Sequence, residues 1–294
     1  MTSLAPTATL PEMYPTFGPR RLRRLPDGVE SHPYHLFALS PTGPLIGAEI
    51  TGVDLAQEPD DILVAELNRA LLEWKVLIFR DQHITAEQQA AFAAHWGAPW
   101  EAALFPGMTS GRSSLGYQNY WHADDTFRER PGLGAMLRIT EVPLGGDTLF
   151  ADMAAAYDNL SDDIKAAIDG GSALHDCRPY ATAFYGEAFD AIVEHYPAVA
   201  HPIVRTHPET GRKTLFVNAQ WTSRIVGLGE EESARLLLHL TVQATVPEYQ
   251  CRVRWQPDTL VFWDNRAVQH YAVSDYNGTG RTMVRVAITG DTPY

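Results

Sequence analysis

The spacing of apolar residues in the first third of the chain predicts a mixture of strands and helices. Residues 45–55 alternate in a strand-like way. Apolar side chains at 60–75 recur every three or four positions, which predicts a helix with one buried face. The apolar run at 76–80 predicts a short buried strand. Thr85, followed three residues later by Gln88, is the pattern of a capping box and predicts that a second helix begins there.

Short strands dominate the pattern beyond Gly97, the glycine that we expect to end the second helix. Helical patterns near 161–169 and 230–241 interrupt them. The expected strands lie at 135–140, 147–150, 214–218, 251–255, 259–264 and 282–288. Many short strands separated by turn residues favour a sandwich or barrel with helical insertions over the regular strand–helix alternation of a parallel sheet. We therefore expect a mainly β fold with inserted helices.

Length and composition suggest how the chain is divided. Its 294 residues, 45% of them hydrophobic, can bury a large core. Residues 1–34 are rich in proline and lack apolar periodicity, so we expect an N-terminal arm that lies on the surface or on a neighbouring subunit. Residues 35–294 are expected to form a single domain. The arm and several apolar insertions favour a homo-oligomer, either a dimer or a tetramer.

Charge and cysteine content narrow the classes of partner and compartment. The formal net charge is −13 and the longest basic cluster is the short segment RRLRR at 20–24, so nucleic acid is not an expected partner. Cys177 and Cys251 are too isolated for a disulfide framework or a cysteine-ligated zinc site. No apolar run approaches the roughly 20 residues of a membrane span. We expect a cytoplasmic protein without a membrane partner.

The segment NYWHADDTF places two potential metal ligands, His122 and Asp124, two positions apart. On an extended segment, side chains at i and i+2 project from one face, close enough for an imidazole nitrogen and a carboxylate oxygen to bind one ion. The alternative is a hydrogen-bonded pair at a strand end. Two ligands alone do not decide between these interpretations.

A third ligand, His270, follows the apolar strand TLVFWD and the turn-like NRAVQ. Two histidines and one carboxylate form the facial triad that suits iron(II), because three coordination positions stay open for a co-substrate and oxygen. The other histidines are expected to lie on the surface, in the core or in loops. They are His32, His35, His83, His95, His175, His195, His201, His207 and His239.

The final strand carries two arginines on one face. In RTMVRVAI, Arg281 and Arg285 alternate with β-branched residues that occupy the opposite face. If the β-branched face packs against outer helices, both guanidinium groups point into the barrel and require anionic partners. The alternative is an edge strand with two solvated arginines.

Several ordered motifs together resemble the taurine dioxygenase family of iron(II)- and 2-oxoglutarate-dependent oxygenases. They are IGAEITGVDL, FRDQHIT, WHADDTF, PLGGDTLFADMAAAYDNLS, FVNAQWTSRIV and LVFWDNRAVQHYAVSDYNGTGRTMVRVAITGD. The resemblance runs from about residue 45 to the C-terminus. It implies a double-stranded β-helix, the cupin-like jelly roll, with helical insertions. The family also includes alkylsulfatases and aryloxyalkanoate dioxygenases.

The resemblance assigns roles to particular residues. It implies that His122, Asp124 and His270 bind iron(II), and that Arg281 and Thr148 bind the distal carboxylate of 2-oxoglutarate. The implied reaction consumes oxygen, releases succinate and carbon dioxide, and hydroxylates a C–H bond of the substrate.

The resemblance also implies a small anionic substrate, with Arg285 facing its head group. The segment GAPWEAALF lacks the histidine of the taurine-oxidising members, and Asp125 replaces an apolar residue. These differences favour a substrate other than taurine: an alkyl sulfate ester, another sulfonate, an aryloxy acid, or an amino acid or other acid. In the first three classes, hydroxylation beside the heteroatom leads to cleavage of the C–S or C–O bond. The candidate substrate contacts are Arg285, Gln118, Asn119, Asp125, Phe105 and Trp221.

Two other functions fit the same residues. A zinc-dependent hydrolase could use His122, Asp124 and His270 to activate water, but it gives no role to the two arginines. A non-catalytic jelly roll could bind a ligand without a complete triad. Residues 100–118 are rich in glycine and serine, and we expect them to act as a lid over the substrate.

Overall fold

Two β-sheets face each other across the main core, and helices cover the outside. This is the double-stranded β-helix that the family resemblance implies. The computed structural model describes residues 18–100, 119–184, 189–276 and 281–294. The helices are α1 (Asp61–Trp74), α2 (Ala86–Ala93), α3 (Met153–Asp158), α4 (Asp162–Ile168), α5 (Arg178–Phe184), α6 (Phe189–His195) and α7 (Glu230–Thr241). The strands are β1 (Ala38–Pro41), β2 (Ala48–Thr51), β3 (Val76–Phe79), β4 (Pro99–Trp100), β5 (Gly134–Glu141), β6 (Thr148–Asp152), β7 (Ser172–His175), β8 (Val199–Pro202), β9 (Val204–Thr206), β10 (Lys213–Leu215), β11 (Thr222–Ile225), β12 (Gln250–Val253), β13 (Thr259–Asp264), β14 (Val268–Ala272) and β15 (Thr282–Ile288).

The large sheet has seven strands in the order β1-β2-β3-β13-β5-β15-β4. Its central strand β13 is buried along its whole length because both of its faces pack against apolar layers. Val261 and Trp263 point into the main core, whereas Leu260 and Phe262 point into a second core under α1 and α2. This alternation explains why the segment TLVFWD is almost continuously apolar.

The smaller sheet has the order β12-β6-β14 and faces the large sheet. The rings of Phe150 on β6 and Trp263 on β13 lie 5.6 Å apart across the core. An isolated antiparallel bridge joins His122 to His270 on β14, so the segment that carries His122 continues this sheet. Strands β11-β7-β8 and the pair β9-β10 form two further small sheets.

The expected helices at the start of the chain are confirmed, together with their ends. Asp60 caps α1 by accepting a hydrogen bond from the backbone N–H of Leu63, and α1 ends at Lys75 in a left-handed conformation with φ 65°. Thr85 and Gln88 form the capping box of α2. The helices expected near 161–169 and 230–241 are α4 and α7.

Two features of the pattern were interpreted wrongly. The strand expected at 214–218 ends at Leu215, because a turn begins where the backbone N–H of Asn218 donates to the Thr222 hydroxyl. Helices α3, α5 and α6 were not expected. Helix α3 begins directly after β6, where the Asp152 carboxylate accepts hydrogen bonds from two backbone N–H groups of the first turn.

The described part of the N-terminal arm, residues 18–34, is held against the domain by ion pairs. Arg23 contacts Asp158 at 3.1 Å, and Arg24 contacts the buried Glu73 at the same distance. Two of the four arginines in the basic segment at 20–24 are therefore paired with carboxylates of the domain. Residues 1–17 lie outside the described residues. Among the described residues, we find no helix with the length and apolar character needed to span a membrane.

Candidate metal centre

His122, Asp124 and His270 meet at the side of the smaller sheet, where one potential ligand atom from each lies within 4.8 Å of the others. Asp124 Oδ1 is 3.7 Å from Nε2 of both histidines. Two ligands that are each about 2.1 Å from one ion lie about 3 to 3.6 Å apart at angles of 90 to 120°. The two histidine–aspartate separations therefore lie close to the range expected for ligands of one cation.

The hydrogen bonds of His122 leave its metal-facing nitrogen without a protein partner. Nδ1 lies 2.7 Å from the backbone carbonyl of Tyr120, a contact that requires Nδ1 to carry the proton. Nε2 is then the lone-pair nitrogen. It is buried and has no hydrogen-bond partner within the described part of the chain. A buried acceptor without a donor is costly, and a bound cation would satisfy it.

Asp124 lies at the start of a turn, so the expectation of a carboxylate on a strand was wrong. The next residue, Asp125, has a left-handed backbone with φ 56°, which ends the extended segment. Asn265 fixes this turn. Its side-chain oxygen accepts the Asp124 backbone N–H at 2.7 Å, and its amide donates to the Asp124 carbonyl at 3.0 Å.

Arg285 is the cation closest to the triad among the described residues, and it lies 2.9 Å from Asp124 Oδ2. Burial acts to raise the pKa of Asp124, but the charge of Arg285 and the two histidines outweigh it and keep that pKa below its usual range. Burial lowers the pKa of His270 to about 3, with a contribution from His122. Burial also lowers the pKa of His122. Both imidazoles are therefore neutral near pH 7, which is the protonation state that binds metal.

Burial has the opposite effect on the second carboxylate of the site. It raises the pKa of Asp125, although Arg285 opposes the shift. Arg285 itself has a pKa above its usual range, because Asp124 and Asp125 outweigh the cost of burying its guanidinium group.

The face of the final strand that carries Arg285 points into the barrel, in agreement with the first of the two interpretations of its sequence. On β15, Val286 and Ile288 pack into the core under α1 and α2, whereas Arg285 lies on the opposite face beside Asp124. Strand β15 runs between β5 and β4. The alternative of an edge strand with solvated arginines is therefore wrong for Arg285.

The two residues expected to bind 2-oxoglutarate each contact an aromatic side chain that the sequence did not indicate. Thr148 is buried at the start of β6, and the indole N–H of Trp255 donates to its hydroxyl oxygen at 3.0 Å. Arg281 Nη1 donates to the hydroxyl of Tyr276 at 3.1 Å. The sequence offers one signal for these partners, an aromatic residue close to an expected strand. That signal is weak because aromatic residues are common in protein cores.

The expected substrate contacts are only partly described. Trp221 is buried, and its ring packs 4.7 Å from that of Phe127 in a small aromatic cluster. Asn119 is half-buried. Phe105, Gln118 and the expected lid at 100–118 lie outside the described residues, apart from the backbone of the two-residue strand that Trp100 ends.

A buried network of polar side chains supports the turn from behind. Nδ1 of His175 lies 2.8 Å from the Thr126 hydroxyl, and the Asn218 amide donates to the same oxygen at 3.0 Å. The Asn218 side-chain oxygen accepts the backbone N–H of Trp221 at 2.9 Å. His175 and Asn218 therefore have structural roles, and they link the metal-binding turn to a candidate substrate contact.

Comparisons with known proteins identify the family of this chain. The sequence profile of the taurine catabolism dioxygenase TauD, TfdA family matches residues 38–287. An (S)-phenoxypropionate/alpha-ketoglutarate-dioxygenase of Sphingobium herbicidovorans is 36% identical over 278 residues, covering 87% of this chain and 96% of the relative. An alpha-ketoglutarate-dependent sulfate ester dioxygenase of Pseudomonas putida is 34% identical over 270 residues, covering 86% and 89%.

The fold is also shared with a solved structure that contains a metal. The crystal structure of AAD-2 in complex with Mn(II) and N-oxalylglycine superimposes with a TM-score of 0.78 and 31% sequence identity. The superposition covers 87% of this chain and 98% of the other.

Proposed function

The chain belongs to the taurine catabolism dioxygenase TauD, TfdA family, and we propose that it binds iron(II) through His122, Asp124 and His270 and hydroxylates a small anionic substrate. It is a metal- and 2-oxoglutarate-dependent dioxygenase, the type of enzyme that its relatives represent. Iron(II) as the metal and oxygen as the oxidant are parts of the proposal.

One observation carries the proposed metal site. The buried Nε2 of His122 has no hydrogen-bond donor in the described part of the chain, and it faces Asp124 Oδ1 at 3.7 Å. Two neutral imidazoles and one carboxylate on one side of an ion leave room for a bidentate co-substrate and a third ligand. When bound, iron(II) supplies the oxygen activation that couples loss of carbon dioxide from 2-oxoglutarate to oxidation of a C–H bond.

The protein positions the metal ligands before any ion binds. The bond from His122 Nδ1 to the Tyr120 carbonyl sets the tautomer and ring orientation of this ligand. Arg285 holds the second oxygen of Asp124 at 2.9 Å, so only Oδ1 faces the histidines. This arrangement favours monodentate binding by Asp124 and keeps the remaining coordination positions free.

Arg281 and Thr148 are proposed to hold the distal carboxylate of 2-oxoglutarate. A guanidinium group presents two parallel donors that match a carboxylate, and the contact to Tyr276 uses Nη1 of Arg281. The indole N–H of Trp255 occupies a lone pair of the Thr148 oxygen, so the Thr148 hydroxyl hydrogen is available to donate. N-oxalylglycine, which is present in the AAD-2 complex, carries two carboxylates like 2-oxoglutarate and has an amide carbonyl in place of the keto group, which supports 2-oxoglutarate as the co-substrate.

The substrate proposal rests on Arg285 and on what the relatives oxidise. Their names specify a phenoxypropionate and a sulfate ester, both of which carry an acid group. Arg285 keeps 30% of its side chain exposed beside Asp124, so it can receive such a group close to the metal. Cleavage of a C–O or C–S bond after hydroxylation, a homo-oligomeric state and a cytoplasmic location remain predictions.

The test is an anaerobic titration of iron(II) and 2-oxoglutarate into the apoprotein, followed by absorption spectroscopy and then by oxygen and a panel of anionic substrates. We expect a metal-to-ligand charge-transfer band and substrate-stimulated succinate. His270→Ala should lose both. His83→Ala, at an exposed position away from the triad, is the matched control and should keep both. A folded, iron-loaded protein without the band would refute the proposal, and substrate turnover without oxygen would favour the hydrolase.

A further inference from the structure

Arg285 faces two carboxylates, not one. Its Nη2 lies 2.9 Å from Asp124 Oδ2 and 3.7 Å from Asp125 Oδ2. The side chains of Asp124 and Asp125 are 12% and 13% exposed, so both are largely removed from water. A single guanidinium nitrogen therefore separates Asp125 from the carboxylate that is proposed to bind the metal.

The backbone explains how two consecutive aspartates reach the same arginine. Successive side chains on a strand point to opposite faces, but Asp125 has a left-handed backbone with φ 56°, which aspartate tolerates better than most residues. The backbone N–H of Arg128 donates to the Asp125 carbonyl at 3.0 Å and closes this turn. The carboxylate of Asp125 is thereby turned toward the metal centre.

The pairing of Asp125 within the protein is weak. A distance of 3.7 Å is longer than a hydrogen bond, and the closer contact of Arg285 is with Asp124. A largely buried carboxylate is costly unless a close cation compensates it. Arg285 is thus shared between two carboxylates, and Arg128 adds a second positive charge near Asp125. A bound divalent metal would offset the two carboxylates of 2-oxoglutarate, which leaves Asp125 as a carboxylate beside the substrate-facing arginine.

We propose that Asp125 binds a positively charged nitrogen of the substrate, so that the substrate is a zwitterion whose acid group lies on Arg285. This inference rests on the proposed function and specifies its substrate class. An amino acid or a similar amino acid analogue fits, because an acid group and an ammonium group a few bonds apart can contact Arg285 and Asp125, which lie side by side. Each charge of the substrate would then face the opposite charge of the protein.

The same arrangement would bind simple anions less tightly than zwitterions. An acid without the nitrogen leaves Asp125 uncompensated and brings a further negative charge beside it, and a site with an unpaired buried polar group discriminates strongly against the ligand that fails to pair it. Asp125 is thus a specificity-determining residue in this proposal.

The experiment compares matched ligands on the anaerobic complex with iron(II) and 2-oxoglutarate. The pairs are 3-aminopropanoate with propanoate, 4-aminobutanoate with butanoate, and L-alanine, L-valine and L-leucine with their desamino acids. Dissociation constants are read from the change in the absorption band, so no turnover is needed, and succinate is then measured with oxygen. Asp125→Asn and Asp125→Val remove the charge, and Glu129→Gln, which removes an exposed charge four residues away, is the matched control.

In the wild-type protein, at least one zwitterion should bind about tenfold or more tightly than its desamino partner, the scale of a hydrogen-bonded charge pair. Both Asp125 variants should bring this ratio close to one, and Glu129→Gln should retain it. Tighter binding of the desamino acids, an unchanged ratio in Asp125→Asn, or no response to any zwitterion would overturn the inference while the band persists. Absence of the band itself would instead refute the proposed function.

Discussion

Asn265 binds both backbone polar groups of Asp124 through one side-chain amide. Its oxygen accepts the Asp124 N–H at 2.7 Å, and its NH₂ group donates to the Asp124 carbonyl at 3.0 Å and to the Gly132 carbonyl at 3.2 Å. The residues are 141 positions apart, and Asn265 is 2% exposed. The turn between β13 and β14, which leads to His270, is thereby tied to the turn that carries the proposed carboxylate ligand.

We predict that Asn265→Asp weakens metal binding. The new carboxylate cannot donate to the carbonyls of Asp124 and Gly132, and it is repelled by both. Removing a residue that supports a metal ligand lowers metal affinity by about 10- to 100-fold, and each buried group left unpaired costs about 1 to 3 kcal/mol. Titration with Mn(II) followed by calorimetry, and urea unfolding of the apoprotein, measure the two effects.

Asn159→Asp is the control for this substitution. Asn159 also uses its amide to hold backbone groups, at Arg21 and Ala155, but it lies at the end of α3 away from the triad. It should leave the Mn(II) affinity unchanged. If Asn265→Asp lost stability but bound Mn(II) as tightly as wild type, the amide of Asn265 would serve the fold and not the metal centre.

The contrast between Asp124 and Asn265 shows what the sequence could predict. The pairing of His122 with Asp124 was recognisable because their spacing is local. The alternation on β15 grouped the two arginines on one face but left open whether that face points inward, and the structure places Arg285 beside Asp124. The hydrogen bonds of Asn265 join two turns that come together only when the sheets form. Because an asparagine in a turn usually bonds to its own local backbone, the sequence did not indicate this contact. The interpretation of Asp124 as a strand residue failed for the same reason, since the φ of 56° at Asp125 depends on the tertiary contacts of the turn.

In the fold too, elements with a clear local sequence pattern were predicted, and elements that depend on tertiary contacts were missed. Strands β13 and β15 were predicted with their observed bounds, because β13 is a short continuous apolar run and β15 places β-branched residues at alternate positions. Helix α3 was missed because the six residues MAAAYD carry no complete helical repeat, and the helix depends on its cap at Asp152 and on burial against the main core.

Trp255→Phe should raise the KM for 2-oxoglutarate. The substitution keeps an aromatic ring but removes the N–H that donates to the Thr148 oxygen at 3.0 Å. The Thr148 hydroxyl then loses the contact that directs its hydrogen toward the proposed carboxylate. The loss of one neutral hydrogen bond, about 0.5 to 1.5 kcal/mol, corresponds to an increase of about 2- to 12-fold in KM with kcat little changed.

A double-mutant cycle with Thr148→Val connects the two residues. If Trp255 acts through Thr148, the KM of the double variant should be close to that of Thr148→Val alone. Trp96→Phe is the matched control, because it removes an indole N–H bond of 3.0 Å to Asn68 outside this site. Additive effects of Trp255 and Thr148 would show that Trp255 contributes only packing.

Addition of Mn(II) should stabilise the apoprotein. The ion satisfies the buried Nε2 of His122 and binds only the folded arrangement of the three ligands. At 100 times the dissociation constant, the expected gain in the free energy of unfolding is about 2.7 kcal/mol. Thermal unfolding at several Mn(II) concentrations should show a rising Tm. Asp124→Ala should abolish the rise, and an equal rise in that variant would place the ion elsewhere.

The stability of the apoprotein should fall as the pH decreases below about 6.5, the ordinary pKa of histidine. Burial and the neighbouring His201 hold the pKa of His175 well below that value. In this window the unfolded chain takes up a proton that the folded protein does not, so unfolding becomes more favourable as pH falls. The slope contributed by His175 approaches about 1.4 kcal/mol per pH unit. The carboxylates with lowered pKa values, Asp124 and Asp264, add to the loss only below about pH 4 to 5.

His175→Gln isolates this contribution, because glutamine can still hydrogen-bond the Thr126 hydroxyl that lies 2.8 Å from His175 Nδ1, but it does not titrate. Urea unfolding at pH 7.5, 6.5, 5.5 and 5.0 gives the free energy of unfolding for both proteins. The variant should be less stable at pH 7.5 and should lose less stability on acidification, so the difference between the proteins narrows toward pH 5. His83→Gln, at an exposed position, controls for the substitution itself. Parallel pH curves for wild type and His175→Gln would mean that His175 is protonated in the folded protein, and the buried network around Thr126 would then contain a charged imidazole.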